Sequence, residues 1–201
     1  MNNDRRRRAG YGAKPGAIAI CFSLFASGSA FSHAFLEAEQ TRSGATYEAI
    51  INLPHGCDGL PTDTVLVKVP ENMVVLQAPE AEGWTVTGTA GKLDKPVTVN
   101  GSVVEESIVA LKWTGGSIPD EDVGQVRFGG QIVDGLEPGT KLHFMVVQQC
   151  EDKAVRWIEI QKEGQDMSDM EAPAPFLTIV DEMEKSVAGD PGKMDHSKHA
   201  N

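Results

Sequence analysis

Lysine and arginine are scarce in this chain, 18 against 29 aspartates and glutamates, for a formal net charge of −11. A surface of that sign repels phosphate backbones and anionic membrane faces, so nucleic-acid binding is disfavoured and cations are the natural partners. Cysteine is rarer still. Of the three, none forms a CxxC pair or a cysteine-rich cluster, which argues against a thiolate metal centre. With 2 Tyr and 3 Trp, the chain has little with which to build a flat aromatic platform for a polymeric substrate. GxSxG, HExxH and a phosphate-binding glycine loop are all missing, and the chain is expected to be non-enzymatic.

Long apolar runs are absent too. The most apolar stretch, Pro15 to Ser29, falls short of the roughly 20 residues a membrane-crossing helix needs. It follows Arg5 to Arg8 and Lys14 and leads into the small residues Ala26, Ser27, Gly28, Ser29 and Ala30, the layout of a secretory signal. Residues 1–32 are therefore expected to be a cleaved signal peptide and the protein to be exported to the periplasm. Two cut sites satisfy the small-x-small preference: after Ser32, which makes His33 the mature amino terminus, and after Ala34, which discards it. Loss of the leader makes the mature chain more acidic, about −15.

Cys21 lies within the leader, which leaves Cys57 and Cys150. In an oxidising compartment two cysteines are expected to pair, and closing a loop of that length stabilises by about 4–5 kcal/mol in the chain-entropy model.

Beyond the leader, short runs rich in β-branched and aromatic residues alternate with Gly, Pro, Asp and Asn, and no segment keeps a helical period. The pattern predicts an all-β fold, an Ig-like or cupredoxin-like antiparallel sandwich over residues 33–180. Nine strands are expected, near 34–38, 47–53, 64–69, 74–77, 84–87, 107–113, 125–133, 141–148 and 155–160, with a final edge strand at 176–180. Turns are expected at Asn100-Gly101, Gly115-Gly116, Pro119-Asp120, Gly129-Gly130 and Pro138-Gly139. Residues 181–201 are polar and Gly-containing and are expected to be a disordered tail.

Four residues stand out as candidate metal ligands or neighbours. If cleavage exposes His33, its free amine and imidazole can chelate one metal, and such nitrogen donors suit Cu(II) best among divalent first-row ions. Glu37 and Glu39 are expected to form a solvated strand face out of reach, because an extended strand puts Glu37 about 13 Å from His33. In Leu53-Pro54-His55-Gly56-Cys57-Asp58-Gly59, either His55 or Asp58 could be presented to a cation, or both could simply cap a turn. Trp157 is a candidate cation–π face and equally a candidate core residue. In the tail, Met194, His196 and His199 bring a thioether and two imidazoles together, an auxiliary copper site or a solvated end.

The fragments His33-Ala34-Phe35-Leu36-Glu37, Leu53-Pro54-His55-Gly56-Cys57, Gly83-Trp84, Trp113-Thr114-Gly115-Gly116 and Val147-Gln148-Gln149-Cys150 with Trp157-Ile158-Glu159 resemble the YcnI-like copper-binding domain family. The resemblance implies an exported copper carrier or store that passes its metal to a membrane or periplasmic copper-transport protein. It further implies copper held by the amine and imidazole of the terminal histidine, an acidic side chain and a tryptophan. His33 and Trp157 match two of these; the acidic position falls where this chain reads His-Gly-Cys-Asp, leaving His55 or Asp58. A mononuclear copper oxidative enzyme and a metal-free partner-binding sandwich are the alternatives.

Overall fold

A computed structural model describes residues 33–181. The expected signal peptide at 1–32, and the tail beyond Asp181 with Met194, His196 and His199, lie outside the described residues.

Twelve strands form, with no α-helix among the described residues. They are β1 (Phe35–Leu36), β2 (Gln40–Thr41), β3 (Thr46–Leu53), β4 (Thr62–Lys68), β5 (Met73–Gln77), β6 (Thr85–Val99), β7 (Ser102–Ile118), β8 (Gly124–Ile132), β9 (Lys141–His143), β10 (Met145–Cys150), β11 (Lys153–Trp157) and β12 (Phe176–Ile179). One sheet runs β1-β3-β8-β5, a second β11-β10-β4-β7-β6, and a small third β2-β12-β9. All pairings are antiparallel except β2 with β12.

The two larger sheets fill one core. Period-2 alternation turns Val65 and Val67 of β4 inward while Lys68 is exposed, and β3 does the same with Tyr47, Ala49 and Ile51. Between the sheets the rings of Trp113 and Phe128 lie 6.3 Å apart and those of Phe128 and Phe144 6.1 Å, so aromatic burial ties β7, β8 and the β9–β10 junction together.

Several expectations about strands change. The segment 141–148 is broken at Phe144, whose N–H turns to the carbonyl of Pro175, so β9 and β10 join different sheets. The first strand likewise bends at Glu37, and the chain re-enters as β2 in the third sheet. The final strand, β12, lies between β2 and β9 rather than at an edge. The largest difference is the hairpin β6–β7, which turns at Asn100 (φ 50°) and Gly101 (φ 76°) as the Asn-Gly signal requires. Its strands run far beyond the expected 84–87 and 107–113, because most of β6 is exposed and lacks the apolar alternation that marks a half-buried strand.

Gly115-Gly116 and Gly129-Gly130 are not turns; they lie inside β7 and β8. A β-carbon on Gly116 would sit 2.0 Å from the Trp84 indole, and one on Gly130 2.5 Å from the Val74 carbonyl, so these glycines admit close neighbours.

A histidine in the third sheet makes folding sensitive to acid. The His143 ring packs against Phe176 at 5.5 Å, and its buried Nδ1 has no hydrogen-bond partner among the described residues. Burial lowers its pKa, the Lys141 ammonium acts in the same direction, and the Ala174 backbone opposes them. A folded pKa below the unfolded one means that the unfolded chain binds more protons, so stability falls as pH drops through the free-imidazole range near 6.5 toward the lower folded value. Urea denaturation should therefore show a smaller loss of midpoint between about pH 7 and pH 5 for His143→Gln than for the native chain. Parallel pH profiles would show that His143 does not couple to folding.

Candidate functional site

The site forms at one end of the sandwich, where β1 begins and β3 ends. Phe35 pairs with Asn52 and Leu36 with Ile51. Continuing that antiparallel register places His33 opposite Pro54, next to His55. Sheet pairing thus directs the residues before β1 toward the end of β3 that leads into His55.

Both imidazoles meet one indole. The His33 ring lies 6.3 Å from Trp157 and the His55 ring 5.7 Å, each edge-on, with interplanar angles of 66° and 63°. Trp157 closes β11, opposite Val146 of β10, and is only 2% exposed. It is a core residue, and its ring is also the surface against which both histidines rest.

A turn of fixed shape presents His55. The Cys57 and Leu60 backbones bond reciprocally at 3.0 and 3.2 Å, with Asp58 (φ 50°) and Gly59 (φ 85°) between them. Gly56 donates to the Asp120 carbonyl at 3.1 Å, and a β-carbon there would fall 2.2 Å from the Leu60 carbonyl. Only glycine admits that approach. The Cys57–Cys150 disulfide, closing a separation of 93 residues, then ties the turn to the end of β10.

The second tie is polar. Gln148, wholly buried on the inward face of β10 with Val146 and Cys150, donates from Nε2 to the His55 carbonyl at 2.6 Å and to Thr62 Oγ1 at 2.7 Å. Its Oε1 accepts the Trp157 indole N–H at 2.9 Å. One amide thus fixes the loop that carries His55 and the ring that His55 meets. Sequence reasoning assigned Gln148 no role; the signal available was a polar residue at an inward position of a strand.

The remaining donor geometry follows from these contacts. His55 Nδ1 lies 2.6 Å from the Gly56 carbonyl. A carbonyl can only accept, so Nδ1 carries the proton and a neutral ring offers its Nε2 lone pair to a metal. Asp58 is highly exposed, and its carboxylate reaches Lys153 Nζ at 3.5 Å. Among the described residues no three His, Cys, Asp or Glu side chains cluster as a metal site. What the side chains bring together here is two imidazoles against one indole.

The chain bends after Leu36, and Glu39, exposed as a solvated position should be, lines a cavity that His33 also lines. Met167, from the loop between β11 and β12, lines the same cavity.

The buried amide makes a direct prediction. Gln148→Leu keeps the bulk but strands the Trp157 N–H, the Thr62 hydroxyl and the His55 carbonyl, at a cost of about 1–3 kcal/mol in urea denaturation. The Trp157 indole proton should also exchange faster with solvent in the variant. Native stability and native exchange would show that this amide does not hold the site.

Comparison with known proteins places the fold. No curated protein matches the chain. A solved structure described as an uncharacterized protein from Nocardia farcinica with an immunoglobulin-like fold is similar at 22% identity and a TM-score of 0.50, covering 74% of this chain and 99% of that one. At that identity the likeness concerns the fold alone: an immunoglobulin-like β-sandwich. The family model described as a domain of unknown function, DUF1775, matches residues 33–179, beginning at His33 itself. The chain belongs to this family, the YcnI-like domain family.

Proposed function

We propose that the protein is an exported, non-enzymatic copper carrier or store that binds one copper at the mature amino terminus. The observation that carries the reading is the convergence of His33 and His55 on Trp157 at the edge where the family match begins. Cleavage after Ser32 frees the His33 α-amine, which with the His33 imidazole and His55 Nε2 gives three nitrogen donors, a set suited to Cu(II). Trp157 lies beneath as a cation–π face and a shield from water. Of the two candidates for the remaining position, the geometry favours His55, since the Asp58 carboxylate is turned toward Lys153.

Export to the periplasm is consistent with the disulfide and with the absence, among the described residues, of any helix long and apolar enough to cross a membrane. The receiving partner is a periplasmic or membrane copper-transport protein, and the Met194, His196 and His199 tail is an auxiliary copper site. Two imidazoles and an amine would also suit an oxidative copper enzyme. Such an enzyme needs a flat aromatic face for its substrate, and the exposed large hydrophobics among the described residues are Leu76, Val103, Val123, Ile158 and Ile160, none aromatic. Carriage is the better reading.

Chelator competition with Cu(II) tests the donor set. His33→Ala and a one-residue extension before His33 should each weaken binding by about 100-fold or more, the second because the amine leaves the metal while the imidazole stays. His55→Ala should weaken it less, and Asp58→Asn should leave it unchanged. An extended terminus that binds as tightly as the native one would place the metal elsewhere.

A further inference from the structure

His33 also lines a cavity that the nitrogen donors leave unused. The cavity beside it, about 200 Å³, is lined by His33, Leu36, Glu39, Met167, Pro175 and Phe176 among others. Its walls are mostly apolar, and Met167 contributes the one thioether. That methionine is not simply filling the core: Met73 and Met170 are almost wholly buried, whereas Met167 is half-exposed at the cavity.

The loop holds Met167 in place. It opens a single 3₁₀ turn, Met167–Asp169, capped by Asp166, whose carboxylate accepts from Ser168 N at 2.9 Å and Ser168 Oγ at 2.8 Å. Met170 closes the turn with its N–H on the Met167 carbonyl at 3.2 Å, and its own buried side chain anchors the turn to the protein. Upstream, Gln161 Nε2 donates to the Gln165 carbonyl at 2.6 Å.

Thioethers are soft donors that select Cu(I), and imidazole accepts either oxidation state. We propose that Met167 is a Cu(I)-selective ligand, so that reduced copper is held between the His33 imidazole and the Met167 sulfur while Cu(II) stays on the nitrogen donors. Cu(I) is bound as supplied, and the protein moves no electron. The proposal rests on copper being carried at His33, as argued above.

The test uses the exported chain beginning at His33, titrated with Cu(I) against a chromogenic chelator under anaerobic conditions and with Cu(II) in parallel. Met167→Leu preserves volume and should fold normally. It should lower Cu(I) affinity by about tenfold or more while Cu(II) affinity stays within about twofold. In the native chain, the methyl resonance of Met167 should shift on addition of diamagnetic Cu(I). Unchanged Cu(I) affinity in Met167→Leu, with Cu(II) binding still abolished by His33→Ala, would overturn the role of Met167 alone. Retention of both ions by His33→Ala would overturn the amino-terminal reading and this proposal with it.

Discussion

The Gln148 side chain is the constraint on which the site depends. It is fully buried, and its amide spends both donors and its acceptor on the His55 carbonyl, Thr62 and the Trp157 indole. In a low-dielectric interior those bonds are strong when complete and costly when broken, so the amide enforces one arrangement of loop and ring. The disulfide acts on the same loop by a different route, removing conformations from the unfolded chain. Together they hold His55 against Trp157, and the β1–β3 register brings His33 to the same place.

Much of this was legible in the sequence, for identifiable reasons. Val65 and Val67 alternate with a charged neighbour, so β4 and the sandwich followed from period-2 patterning. With Cys21 set aside in the expected leader, Cys57 and Cys150 left one intramolecular pairing, and Asn100-Gly101 marked the hairpin turn. Other features were hidden because their causes are not local. The length of β6 was invisible because its residues are largely exposed and carry no apolar rhythm. Gly115-Gly116 read as a turn because a pair of glycines signals backbone freedom, whereas here Gly116 makes room for the Trp84 ring. The breaks at Glu37 and Phe144 arise where the chain changes sheets. For the proposed site, His33, His55, Asp58 and Trp157 could be named from residue type and resemblance. What the sequence could not give is the contact of Asp58 with Lys153, which on the proposed reading favours His55.

On the proposed reading, the acidic surface and the sparse donor set work together. A net charge of −11 for the whole chain, deepened by loss of the leader, draws cations toward the protein without specifying a site. The described side chains do not form a metal cluster on their own. The missing nitrogen is the α-amine, which in the precursor is part of a peptide bond. Copper binding would therefore begin when the leader is removed, in the compartment where the disulfide can form.

Pulsed electron paramagnetic resonance of Cu(II) added to the chain beginning at His33 separates the two outcomes, because the remote nitrogen of each coordinated imidazole modulates the echo. Modulation from two imidazoles, those of His33 and His55, is expected. Modulation from fewer than two would rule out the proposed donor set.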